Sequence, residues 1–182
     1  MDSIELKDFG QALPDSMSVS VVMEQTPSDH AWVDVTFKAV GVICTPGVEH
    51  KSTKLIHQKD GVSQYLFSGL NVKLHLDECE GYYHNLMSPQ PGCFIVANQP
   101  DEPEEMPTPY LVSLSFDEVH SYLEGDEQVY AVEIPPELYQ WSEAYILQNY
   151  IAVKKTKRKR KDWKEQAKGS IKVAGNIGSE KR

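Results

Sequence analysis

Two valine-rich stretches near the start leave this chain few ways to fold. SVSVVME at Ser18–Glu24 and WVDVTFKAVGVIC at Trp32–Cys44 alternate apolar and polar residues with partial period two, and the turn-forming run TPSD lies between them. Period-two alternation turns one face of a segment toward a core and the other toward water, which suits a strand and not a helix. The pair predicts a long antiparallel hairpin. Shorter strands are expected at Thr53–His57 and Ser63–Phe67, split by the tight-turn signal KDG. Gly69 then opens LNVKLHLDE, read as a strand with Leu70, Val72, Leu74 and Leu76 on its buried face. Cys93–Val96, Tyr110–Leu114 and Gln128–Ile134 complete the strand set.

Two helices interrupt this pattern. SFDE at Ser115–Glu118 is a capping box, Val119, Tyr122 and Leu123 supply an apolar stripe, and Gly125 ends the helix. Pro135-Pro136 opens a second helix where proline is best tolerated, with Leu138, Trp141, Ala144 and Tyr145 on one side. The stretch GYYHNLMSPQPGCFIV reads as a hairpin, with Glu80, Tyr82 and Asn85 on the entering strand and SPQPG reversing the chain. QPDEPEEMPTP reads as an exposed loop. The fold class that follows is α+β: a mainly antiparallel β-barrel or sandwich with a short inserted helix and a C-terminal covering helix.

Charge divides the chain. Residues 1–153 hold six lysines, no arginine and 24 Asp and Glu, whereas residues 154–182 hold twelve Lys and Arg against three acids. We therefore expect a flexible N-terminal segment at 1–17, a single acidic β-rich domain at 18–153, and a basic, disordered tail at 154–182 that can contact an acidic partner. An acidic body repels nucleic acid and anionic lipid and attracts cationic peptides, so nucleic acid is not an expected partner. Cys44, Cys79 and Cys93 are odd in number and form no CxxC, which suits a reducing compartment. The N-terminus lacks the features of a signal peptide, and no apolar run approaches the ~18 residues of a membrane span. The expected location is cytoplasmic.

The spacing of reactive residues bears on several chemistries. His75, Cys79, His84 and Cys93 are residue types that bind zinc, but H-x3-C-x4-H-x8-C matches no compact knuckle. Cys79 lies among carboxylates, which oppose a thiolate, and Cys93 enters an apolar run. Asp77, Glu78 and Glu80 beside Tyr82 and Tyr83 are suited to general acid or base work or to holding a cation, within a body that is acidic throughout. Neither GxxxxGK[ST] nor GxGxxG occurs. The residues thus predict no enzyme, no metal and no cofactor.

Four segments, in order, carry a resemblance: SVVME at Ser20–Glu24, W-x9-G-V at Trp32–Val42, LHLDECEGYYHNLMSPQPGCFIV at Leu74–Val96, and VEIPPELYQWSEAYILQNY at Val132–Tyr150. Together they resemble a bacterial family of unknown function whose genes stand beside those of molybdenum- or tungsten-containing formate dehydrogenases and their maturation factors. The resemblance marks Asp77, Glu78, Glu80, Tyr82, Asn85, Leu86, Pro89, Pro91, Pro135, Pro136 and Trp141. Relatives tend to carry an arginine where this chain has Asn98-Gln99. The resemblance implies a non-catalytic accessory or assembly protein for a formate dehydrogenase, binding a subunit or maturation factor through Asp77, Glu78, Glu80, Tyr82, Asn85, Pro89, Pro91, Pro136 and Trp141. One alternative is an enzyme or carrier in molybdenum-cofactor (molybdopterin guanine dinucleotide) handling, with Asp77, Glu78 and Glu80 holding a divalent cation. Another is a peptide-binding chaperone whose exposed strand edge takes an extended basic peptide.

Overall fold

The computed structural model describes residues 13–150, apart from Glu124 and Asp126. Most of the expected segment 1–17 and all of the basic tail 154–182 lie outside the described residues. Among those described, seven strands form one sheet: β1 (Ser16–Pro27), β2 (Val35–Cys44), β3 (Ser52–Lys59), β4 (Val62–Lys73), β5 (Gly92–Asn98), β6 (Thr108–Ser113) and β7 (Gln128–Glu133). Three helices accompany them: α1 (Cys79–Leu86), α2 (Phe116–Leu123) and α3 (Pro136–Asn149). The strand order is β2-β1-β4-β6-β5-β7, with β3 paired to β4 beside this path. β2 at one end packs beside β7 at the other, so the sheet curls into a nearly closed barrel. All pairings are antiparallel except β4 with β6, which meet in parallel at Val72 and Val112. This is the expected α+β, barrel-like class.

The β1–β2 hairpin forms as the alternation required, with Val21 opposite Val42 and Glu24 opposite Lys38. Glu24 is held from both sides: Lys38 Nζ of β2 lies 2.8 Å from one carboxylate oxygen, and Gln64 Nε2 of β4 donates to the other at 2.6 Å. These two contacts hold its carboxyl below the usual carboxylate range. β3 and β4 are joined through Asp60 and Gly61, both at positive φ (53° and 82°), as a two-residue hairpin turn of this hand demands.

Leu70–Lys73 is not a separate strand but the second half of β4. Val19 pairs with Leu70 and Val21 with Phe67, so Ser68 and Gly69 together oppose Ser20. That is a bulge in β4, and Gly69 occupies it at φ 80°. Ser20 Oγ donates to Ser68 Oγ at 3.0 Å and lies 3.0 Å from Thr45 Oγ1, so the buried hydroxyl at the bulge is satisfied. The bulge divides one edge of β4: residues before it pair with β3, and Val72 after it pairs with β6.

The expected hairpin after Leu74 is also corrected. A 3-10 turn at Leu76–Glu78 leads into α1, and Glu80, Tyr82 and Asn85 ride on that helix rather than on a strand. Cys79, Tyr82 and Leu86 fall at i, i+3 and i+7, a helical stripe, and all three are buried. α1 packs on α3, and their apolar sides, with Leu138 and Tyr145 from α3, join the inward residues of the sheet, among them Val19, Val72 and Ile95. α2 lies against β5, β6 and β7, where Phe116 meets Phe94 and Tyr122 meets Tyr110 with ring centroids 5.6 and 6.2 Å apart. Phe94 neighbours the core residues Cys93 and Ile95 in sequence, so strand alternation puts α2 on the opposite face from α1 and α3.

A Cβ at Gly69 would lie 2.5–2.6 Å from backbone atoms of His50 and Lys51, where the chain enters β3. Substitution there meets both an unfavourable φ and rigid backbone. Gly69→Ala is expected to destabilise the fold by at least about 2 kcal/mol in urea denaturation, against a few tenths for a replacement at an open surface position. A change under about 0.5 kcal/mol would contradict this role for the bulge.

Candidate partner-binding surface

Glu78 and Asn85, two of the residues marked along Asp77–Pro91, meet at one corner of the fold, where β6 passes into α2 through Ser113, Leu114 and Ser115. All three are buried, at 1%, 0% and 0% exposure. Ser115 caps α2 by accepting from Glu118 N at 3.2 Å, as the capping box predicts. The second half of the box differs. Glu118 accepts instead from Ser113 Oγ at 2.5 Å, while Ser115 N donates to that same hydroxyl at 3.0 Å. Glu78, from the turn before α1, accepts from Ser115 Oγ at 2.8 Å. Each buried hydroxyl thus bridges a backbone amide and a carboxylate.

Asn85 joins this corner to the turn before β5. Its Nδ2 donates to Leu114 O at 2.8 Å and to Gly92 O at 2.7 Å, and its Oδ1 accepts from Gly92 N at 2.9 Å. One carboxamide therefore makes two bonds at the end of SPQPG and one at the end of β6. Tyr82, on the same helix, is fully buried, and its hydroxyl accepts from His75 N at 3.1 Å. Burial drives the Tyr82 phenol well above its ordinary pKa, so it is neutral at physiological pH. Trp141 of α3 is 8% exposed and donates from Nε1 to Pro14 O at 2.9 Å. Together with the 2.7 Å bond from Leu74 N to Asp15 O, it fixes the entry to β1.

The marked residues therefore divide by exposure. Glu78, Tyr82, Asn85 and Trp141 direct their polar atoms into the fold, whereas Asp77, Pro89 and Pro136 are exposed and Glu80 and Pro91 half-exposed. Glu80 sits one helical turn before His84, with 3.6 Å between carboxylate and Nε2. Asp77 lines a groove of about 750 Å³ with Leu13, Asp15, Lys73, His75 and Tyr145. Pro89 and Pro91 line a second, of about 420 Å³, against Ala131–Glu133 of β7. A proline-rich turn and a carboxylate, each beside a concavity and both braced from beneath by Asn85 and Glu78, form a pre-shaped surface suited to a protein partner.

The four candidate zinc ligands do not converge. Among the described residues no three His, Cys, Asp or Glu side chains group at metal-binding distance. Cys93 is fully buried in the core, and burial pushes its thiol up to about 12. Burial likewise raises Cys79, helped by the Asp77 carboxylate, and raises Cys44, helped by Glu137. All three thiols are held in the protonated, weakly nucleophilic form. Ser115 is legible in the sequence as a cap, but not Ser113 nor the contact of Ser115 with Glu78; the signal present is a second serine two residues before the capping box.

Asn85→Ala removes all three bonds and is expected to cost about 3 kcal/mol of stability in urea denaturation. Asn85→Asp keeps an acceptor for Gly92 N but turns a carboxylate toward two carbonyls, which raises the pKa of that carboxyl. A raised folded-state pKa means the folded protein binds the proton more tightly, so this variant should regain stability as pH falls through the raised value toward about 4, the ordinary aspartate value. Stabilities within about 0.5 kcal/mol of the parent for both variants would contradict the role assigned to Asn85.

No curated protein matches this chain, and no solved structure does. A family model matches residues 18–161, which run from near the start of β1 through α3 and into the basic stretch. The chain belongs to this family, described as proteins of unknown function (DUF3305).

Proposed function

We propose that the protein is a non-catalytic accessory or assembly factor for a formate dehydrogenase, docking a basic segment of that enzyme or of one of its maturation factors. The observation that carries the docking role is the braced surface at Asp77–Pro91. Asp77 borders one groove, Pro89 and Pro91 border another and Glu80 is half-exposed on α1, while Glu78, Tyr82, Asn85 and Trp141 fix the shape beneath them. Fixing a surface before binding lowers the ordering cost of association. Acidity supports the choice of a basic partner, with six lysines against 24 acids over residues 1–153. Formate dehydrogenase as the partner rests on the resemblance of SVVME, LHLDECEGYYHNLMSPQPGCFIV and VEIPPELYQW to a family whose genes neighbour those of that enzyme.

Deleting the gene is expected to lower formate dehydrogenase activity while its transcripts stay at parental level. The intact gene should restore activity, and a copy carrying Asp77→Lys with Glu80→Lys should not. Unchanged activity in the deletion strain would sink the proposal. Heat evolved with a guanine nucleotide and magnesium, at micromolar protein, would instead favour molybdenum-cofactor handling.

A further inference from the structure

β3 is unlike every other strand of the sheet. All eight of its residues, Ser52–Lys59, are exposed, and Leu55 and Ile56 are each 44% exposed. Among the described residues it pairs with β4 alone. Beyond the bulge at Gly69 the same edge of β4 passes to β6, so β3 projects as a flap with one backbone edge unpaired among the described residues. A free edge presents a row of N–H and C=O groups to any extended segment that can lie beside it.

Charge selects which segment. The hairpin of residues 50–73 holds four of the six lysines of residues 1–153, Lys51, Lys54, Lys59 and Lys73, together with His50 and His57. Asp60, in the turn, is its one acid, and β4 has none. Lys73 lies at the far end of β4, but Lys51, Lys54 and Lys59 lie on or beside the flap, with Lys59 Nζ 3.9 Å from Asp60, so basic charge gathers there on a body that is otherwise strongly acidic. Lysines on a free edge guard against self-association, because two copies meeting edge to edge would set lysine against lysine. The same lysines favour a strand bearing carboxylates. A long polyanion such as duplex nucleic acid would extend beyond the flap onto the acidic body, whereas a short extended peptide matches an eight-residue edge.

We propose that the outer edge of β3 is a strand-addition site for an extended acidic segment of a partner protein. Backbone bonds along Ser52–Lys59 supply the pairing, Lys54 and Lys59 select carboxylates, and Leu55 and Ile56 offer apolar contact. This reverses the polarity expected from the acidic composition, since the free edge is basic. It is also independent of the Asp77–Pro91 surface.

The test uses the full chain and an eight-residue fluorescent peptide alternating Glu with Val, at about 50 mM salt so that surface charges are not screened out. Lys54→Glu with Lys59→Glu, both exposed positions, is expected to weaken binding about ten-fold or more. The corresponding Lys-Val peptide should then bind that variant better than the parent. A control variant, Lys164→Glu with Lys168→Glu in the basic tail, should retain most of the Glu-Val affinity. Amide shifts on peptide addition should concentrate at Ser52–Lys59. The proposal is overturned if neither peptide binds, if only the tail variant loses binding, or if shifts fall elsewhere. It is also overturned if a short DNA duplex binds as tightly as the Glu-Val peptide and loses as much in the β3 variant.

Discussion

The bulge at Ser68-Gly69 is the constraint on which the rest of this fold depends. One extra residue opposite Ser20, admitted because glycine accepts φ 80°, lets a single edge of β4 serve two neighbours in succession. Before the bulge that edge holds β3, and after it the edge takes β6 in parallel at Val72. Both surfaces considered above descend from this division. β3 becomes a flap with a free edge, while β6 is carried to the buried corner at Ser113–Ser115 that anchors α1.

At that corner the physics is of polar groups satisfying one another away from water. Ser113 and Ser115 would be costly in a barrel wall if their hydroxyls were unpaired; each instead meets a carboxylate and a backbone amide. Asn85 extends the network to Gly92, so the proline-rich turn is positioned by α1 rather than left to its own conformational freedom. Residues that look functional because they are polar and clustered prove to be of two kinds. Glu78, Tyr82, Asn85 and Trp141 build the surface, and Asp77, Glu80, Pro89, Pro91 and Pro136 present it.

Much of the barrel was legible because strand alternation and turn chemistry are local signals. Val21 and Val42 face one another as the valine runs implied, Asp60-Gly61 makes the turn that KDG announced, and Pro136 starts α3 where a proline can. The segment after Lys73 was misread because LNVKLHL alternates on both sides of the point where the strand stops, and because SPQPG is a strong turn signal. The spacing of Cys79, Tyr82 and Leu86 carried the helix, but Gly81 within it weakened that signal. The role of Asn85 was out of reach, since its partners lie 7 and 29 positions away and are backbone atoms of unremarkable residues. The role of Gly69 was hidden for the same reason: the sequence shows a glycine in a strand, but not the Ser20 opposite it or the His50 backbone packed on it.

Native-state hydrogen exchange, read residue by residue, tests this division most directly. β3 has no buried residue to hold it, so amides of Ser52–Lys59 should exchange through a low-energy local opening. Amides of Leu70–Val72 and the Gly92 amide bound by Asn85 should instead exchange only through global unfolding, with one common free energy and one common response to denaturant. β3 amides as protected as those of β6, or a Gly92 amide exchanging like a solvent-exposed turn, would contradict the account.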